Sequence, residues 1–219
     1  MIWISSNSCQ GAGFLELALN QIDIKTGEFN SGYGNYIITR HDSFFGEWTE
    51  VEQGITFLKN KLSSTGVFDE ELFDHAREVL QDNNYIAAFT HVGLDTALDM
   101  YAEEHNDIVL HVLPGPYMIH FLKRESTYRE NWTIDDMAWA YHKRHSQYAL
   151  QFEYLSTNNR VLFPQQCFME GPDALSSLVP NFDQELFNSN LKFYKQSNYS
   201  DIKNQKYINA IRHLSNNYC

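Results

Sequence analysis

Three observations predict an α/β fold in which a parallel sheet is flanked by helices on both faces, a three-layer arrangement. Short apolar runs rich in β-formers alternate along the chain with stretches of helical spacing. Two of those runs, 85–90 and 108–113, are nearly apolar throughout and are separated by a helical stretch, which implies a parallel pair buried on both faces. The first run, Met1 to Ser5, leads through a glycine-containing turn into an apolar helical stretch, so the chain opens as strand, loop, helix.

In chain order, the helix after the first turn is carried by Phe14, Leu15, Leu17, Ala18 and Leu19. Residues 26–46 are glycine-rich and aromatic without a clear period, and read as a loop plus one strand, Tyr36 to Thr39. Asp69 is placed to cap a helix over 69–80 whose apolar positions Leu72, Phe73, Ala76, Val79 and Leu80 repeat at helical spacing. A strand over Tyr85 to Thr90, a helix over Asp95 to Glu104 and a strand over Ile108 to Leu113 follow. Thr133 with Asp136 forms a capping box with Asp in place of the usual Glu, opening a helix that ends near Ala149. Arg160 to Phe163 reads as the last strand, with helical patterns after it near 172–179, 184–194 and 205–214.

The 219 residues, 43% of them hydrophobic, suffice for one large core and predict one domain, 1–219. No charged n-region or long apolar h-region opens the chain, and its apolar stretches are short, so neither secretion nor membrane spanning is expected. Cys9, Cys167 and Cys219 form no Cys-x-x-Cys pair, and their odd number fits free thiols in a reducing, cytoplasmic setting. A net charge of -12 repels a polyanion, so nucleic acid is not an expected partner. His142 and His145 lack a carboxylate or thiolate on the same helical turn, and no metal is expected.

Asn7-Ser8-Cys9-Gln10-Gly11-Ala12-Gly13 supplies the small residues that let backbone N–H groups and a helix N-terminus converge on an anion. A second reading is that Gly11 and Gly13 only permit a sharp strand-to-helix turn. No Lys-Ser or Lys-Thr follows the glycine, which counts against a Walker A loop and hence against a nucleotide kinase.

The loop resembles that of the sulfotransferases, a branch of the P-loop fold, whose pattern is a basic residue, then Ser-Gly-Thr-Thr and an aromatic residue. With Gly11 on the family glycine, Gln10 takes the place of the Ser, Ala12 and Gly13 of the two Thr, and Phe14 of the aromatic residue. Cys9 stands where the family carries Lys or Arg. Phe89-Thr90-His91-Val92-Gly93 resembles the family's Thr-His strand end, where the His deprotonates the acceptor hydroxyl. Capping the next helix or satisfying a carbonyl is the other reading of His91. After the strand 108–113 the family has an Arg and then a Ser that grip the cofactor's 3′-phosphate. Here Pro114 follows instead, and Arg124 with Ser126 lie further along. Val161 to Pro172 resembles a later family strand and its following helix, with Pro172 kept and the family's acidic pair replaced.

The resemblance therefore implies sulfuryl transfer from 3′-phosphoadenosine 5′-phosphosulfate to a hydroxyl or amine of a small molecule or glycan. Asn7, Ser8, Cys9, Gln10, Gly11, Ala12, Gly13 and Phe14 would hold the phosphosulfate end, Arg124 and Ser126 the 3′-phosphate, and His91 would serve the acceptor. Rings near Phe44, Phe45 and Trp48 would line an acceptor pocket. The contrasting reading is a non-catalytic relative used as an assembly or regulatory module, with a protein partner or a second copy. Cys9 and Pro114, at positions where basic residues are expected, support it.

Overall fold

The computed structural model describes residues 1–6, 11–22, 50–93, 95–113, 133, 136, 160–164 and 166–199. Four strands, β1 (Ile2–Ser5), β2 (Ala87–Thr90), β3 (Ile108–Leu113) and β4 (Arg160–Pro164), form one sheet in the order β2-β1-β3-β4. Every neighbouring pair is parallel, and the register sets Ser5 beside Thr90 on one flank and beside His111 on the other.

Alternate residues of a strand point to opposite faces, so each strand feeds two cores. Ile2, Ile4, Ala87, Phe89, Leu110 and Val112 face one layer, built by α1 (Ala12–Leu19), α5 (Gln166–Met169), α6 (Asp173–Ser176) and α7 (Gln184–Tyr199). Trp3, Ala88 and Val109 face the other, built by α2 (Glu50–Ser64), α3 (Glu70–Asp82) and α4 (Thr96–Glu104). The sheet is thus the middle of three layers, as the alternating pattern predicts.

The two layers differ in kind. All eight residues of α1 are buried, because α7, α5 and α6 cover the side turned away from the sheet. The Phe14 ring lies 4.6 Å from Tyr194, 5.8 Å from Phe187 and 6.4 Å from Phe168, centroid to centroid. On the opposite side Trp3 packs 4.8 Å from Phe73, and α3 buries only Phe73, Ala76 and Leu80 while leaving its other faces polar. At the sheet's amino-terminal edge, buried Asp107 accepts from Trp3 Nε1 at 3.0 Å and Arg77 Nε at 3.2 Å, and pairs with the Met1 amino group at 2.6 Å.

Several boundaries depart from the sequence expectation for local reasons. The second strand begins at Ala87 rather than Tyr85, because Tyr85 N–H donates back to the Leu80 carbonyl and closes α3 through left-handed Asn84 at φ 63°. The first helix begins at Ala12, two residues ahead of Phe14, directly after Gly11. Helix α7 continues past residue 194 to Tyr199, and the pattern near 172–179 yields one short helix, α6. Helix α2 was not anticipated, although Ile55, Leu58 and Leu62 recur at helical spacing and are buried. The expected capping box is made: Thr133 N–H and Oγ1 donate to Asp136 Oδ2 at 2.8 and 2.7 Å, and Asp136 N–H donates to Thr133 Oγ1 at 3.1 Å. The strand over 36–39, the rings at 44, 45 and 48, the basic run at 142–145, and the helices expected to 149 and over 205–214 lie outside the described residues. Among the described residues no helix is long and apolar enough to cross a membrane.

Candidate functional site

Strand order locates the site before any side chain is considered. The chain leaves β1, adds β2 on one flank, then crosses back over β1 to add β3 on the other. In open α/β sheets ligands bind outside the carboxyl ends of the strands where the connections diverge, here the ends of β1 and β3.

Helix α1 begins at that edge. Its carboxyl end lies at the opposite edge, where the Asn20 side chain accepts from Ile86 N and Ala87 N at 2.8 and 3.0 Å and donates to the Ala87 carbonyl at 2.9 Å. Gly11 provides the turn into the helix with φ 82°, a left-handed conformation that favours glycine, and among the described residues no side chain caps the first turn. The first-turn N–H groups of such a helix carry partial positive charge and lack partners within the helix. Ser6 follows β1 on the α1 face. Its hydroxyl is buried and has no hydrogen-bond partner among the described residues.

His91 follows β2 at the same edge, partly buried, with its ring 4.7 Å from Phe89 on the α1 face. Its Nδ1 lies 2.9 Å from the Ser6 carbonyl oxygen. A carbonyl only accepts, so Nδ1 carries the proton and a neutral ring has its lone pair on Nε2. The structure thus brings Gly11, Ala12, Gly13, Phe14 and His91 to one edge and one face. Phe14 itself is turned into the core, so its role there is packing. Asn7, Ser8, Cys9, Gln10, Arg124 and Ser126 lie outside the described residues.

A second polar group sits at this edge on the opposite face. Fully buried His111 on β3 places Nε2 3.2 Å from Asp99 Oδ1 in the first turn of α4, and its Nδ1 has no partner among the described residues. With Ser5 beside it in register, the row has the residue types of an acyl-transfer triad. It lacks that triad's hydrogen bonds, because the Ser5 hydroxyl donates to the Val92 carbonyl at 2.8 Å, and Ser5 and His111 are sealed from solvent. Sequence reasoning missed Ser5, Ser6, Asp99 and His111. Two serines ending an apolar strand, and one His inside the apolar run 108–113, were the signals for three of them.

Two cations among the described residues, Lys59 and Arg77, lie in ion pairs away from this edge. Lys59 Nζ stands 2.7 Å from Glu16 Oε1, without hydrogen-bond alignment, and Arg77 is held by Asp107. An open groove of about 470 Å³ between α2 and α3, lined by Phe57, Lys61, Leu72 and His75, touches none of the predicted site residues. Among the described residues no three His, Cys, Asp or Glu converge as a metal site.

No protein-family model, curated protein or solved structure matches this chain. The class that the coordinates define is an α/β fold with a parallel sheet packed between helices.

Proposed function

We propose that the carboxyl edge of β1 with the start of α1 binds the phosphate-bearing end of a nucleotide, and that the chain transfers a sulfuryl group to a hydroxyl or amine acceptor. The observation that carries this reading is a helix start behind left-handed Gly11 that no side chain caps among the described residues, with the Ser6 hydroxyl, also unpartnered among them, on the same face and edge. N–H groups and a hydroxyl are the donors that phosphate and sulfuryl oxygens require, so the described residues fit that end of 3′-phosphoadenosine 5′-phosphosulfate. When bound, that cofactor supplies the sulfuryl group, and adenosine 3′,5′-bisphosphate is the product that leaves.

His91 supports the acceptor half. With Nδ1 donating to the Ser6 carbonyl, Nε2 is the nitrogen that takes the hydroxyl proton as the oxygen bonds to sulfur. The Ser6 carbonyl also stabilises the resulting imidazolium, because the bond from Nδ1–H strengthens as the ring becomes charged.

A second reading, a non-catalytic module on this fold, is favoured by the cations. Lys59 and Arg77 are committed to Glu16 and Asp107, and Cys9 and Pro114 occupy positions where the resembling family is basic. Group transfer with less positive charge loses part of its electrostatic stabilisation.

Thermal unfolding with adenosine 3′,5′-bisphosphate, ATP, GTP or buffer separates these readings. A ligand at a hundred times its dissociation constant adds about 2.7 kcal/mol, which raises Tm by several degrees in a chain of this size. The expected result is a shift with the bisphosphate that Gly11→Val abolishes while the variant stays folded. A shift with ATP or GTP alone would replace sulfuryl transfer with a kinase reading, and no shift with any nucleotide would leave the non-catalytic module.

A further inference from the structure

The two residues that flank His91 are fixed by side chains that no part of the proposed reaction touches. Thr90 Oγ1 donates to the Leu62 carbonyl of α2 at 3.0 Å and accepts from Val92 N–H at 3.1 Å. Ser5 Oγ donates to the Val92 carbonyl at 2.8 Å. Thr90, Val92 and Ser5 are all fully buried, so water cannot replace a bond that is broken. On the other side of the same peptide, Ser6 N–H donates to the Thr90 carbonyl at 3.2 Å, and the Ser6 carbonyl accepts from His91 Nδ1. The His91 backbone is therefore bound before and after the residue, and its ring is tied to the strand that carries Ser5.

We infer that Thr90 and Ser5 are positioning residues for His91: their hydroxyls hold the 90–92 backbone where the imidazole meets the Ser6 carbonyl, and so select the tautomer with its proton on Nδ1. The unconstrained neutral ring distributes its proton between both nitrogens, so a ring locked with the lone pair on Nε2 needs such a framework. Loss of the Thr90 hydroxyl releases Val92 N–H and the Leu62 carbonyl together. The 90–92 backbone then loses two of the bonds that set the ring 2.9 Å from the Ser6 carbonyl, and the tautomer preference weakens with that contact. This rests on the reading of His91 as the acceptor's base only for its consequence in catalysis; the tautomer is a property of the chain without ligand.

Imidazole ¹⁵N chemical shifts of the uniformly labelled chain test it without substrate. His91 is assigned as the signal pair that His91→Gln removes. The wild type is expected to show a protonated Nδ1 and an unprotonated Nε2 at pH above the ring's titration. Thr90→Val, close in volume but without the hydroxyl, is expected to move both shifts toward a mixture of tautomers, and Thr90→Ser, which restores the hydroxyl, to return them. Ser5→Ala removes the bond to the Val92 carbonyl and the longer 3.4 Å contact to the Gly93 carbonyl but leaves both Thr90 bonds, and is expected to give a smaller shift in the same direction, which keeps the test available if Thr90→Val does not fold. Unchanged His91 shifts in folded Thr90→Val or in Ser5→Ala would overturn the inference, and so would a wild-type ring protonated on Nε2. A nucleotide panel with no thermal shift would remove the proposed reaction and leave this result standing, so the two failures are distinguishable.

Discussion

Helices α1 and α4 make the same structural move and start differently. Each follows a strand of the parallel sheet and runs back from its carboxyl edge, α1 after β1 and α4 after β2. Helix α4 begins with Asp95, whose carboxylate accepts from Ala97 N–H at 2.8 Å, and carries Asp99 in its first turn against His111. Helix α1 follows left-handed Gly11, with no acidic residue in its first turn and, among the described residues, no capping side chain. An Asp at the N-cap is an anion built into the chain; where it is missing, the same N–H groups are left for an anion from outside. The comparison is why the proposed ligand site is set at α1 rather than at α4, although both helices point at the same edge.

The helices also differ in how deeply they are set, and the largest expected effect follows from that. Phe14 is completely buried against three aromatic rings, whereas Met100 on α4 is 70% exposed. Phe14→Ala is expected to cost about 3–5 kcal/mol, and Met100→Ala less than about 0.5 kcal/mol. Denaturant melts of the two variants check the difference. Equal losses would mean that α1 is not the central helix its burial makes it.

The depth of α1 was legible in the sequence, and much of the site was not. Phe14, Leu15, Leu17, Ala18 and Leu19 are apolar on every side of one short helix, a composition that only a covered helix tolerates. Gly11 and His91 were found because one stands between a strand and a helix and the other ends a strand. The bond from His91 to Ser6 joins positions 85 residues apart, and the pair His111 and Asp99 becomes visible only when α4 packs back against β3. Helix α2 escaped because its apolar positions are spread through the polar run EVEQGITFLKNKLSS with a glycine, Gly54, in its second turn. Its amphipathic stripe is supplied by three residues that the sheet's far layer covers.

Alkaline pH gives an intermediate effect confined to the α4 side. Burial raises the pKa of the Tyr101 hydroxyl well above its ordinary 10.0, and a 2.9 Å hydrogen bond to Asp74 with that carboxylate's charge raises it further. The neutral phenol is therefore favoured in the folded state. Its contribution is fully present below about pH 10 and is lost as pH rises from there toward the folded value. Tyr101→Phe is expected to flatten the fall in stability above about pH 10, measured by urea midpoints across pH. Helix α1 carries no group that titrates in that range, so Phe14→Ala should lower the whole curve without changing its slope there.

The smallest effect tests the contrast in capping itself. Asp95→Ala removes the bond to Ala97 N–H and is expected to cost about 1 kcal/mol, the usual value for losing an N-cap side chain. The thermal shift produced by adenosine 3′,5′-bisphosphate should be unchanged in this variant, because the anion would be held by α1, whose start has no such cap. A shift that vanishes with Asp95 would place the anion at α4 instead. A new and larger shift in Asp95→Ala would mean that any uncapped helix at this edge takes the anion, and that Gly11 and Ser6 add nothing selective. An unchanged shift beside a loss of about 1 kcal/mol separates the two helix starts: one closed by its own carboxylate, the other preceded by a glycine that has no side chain to close it.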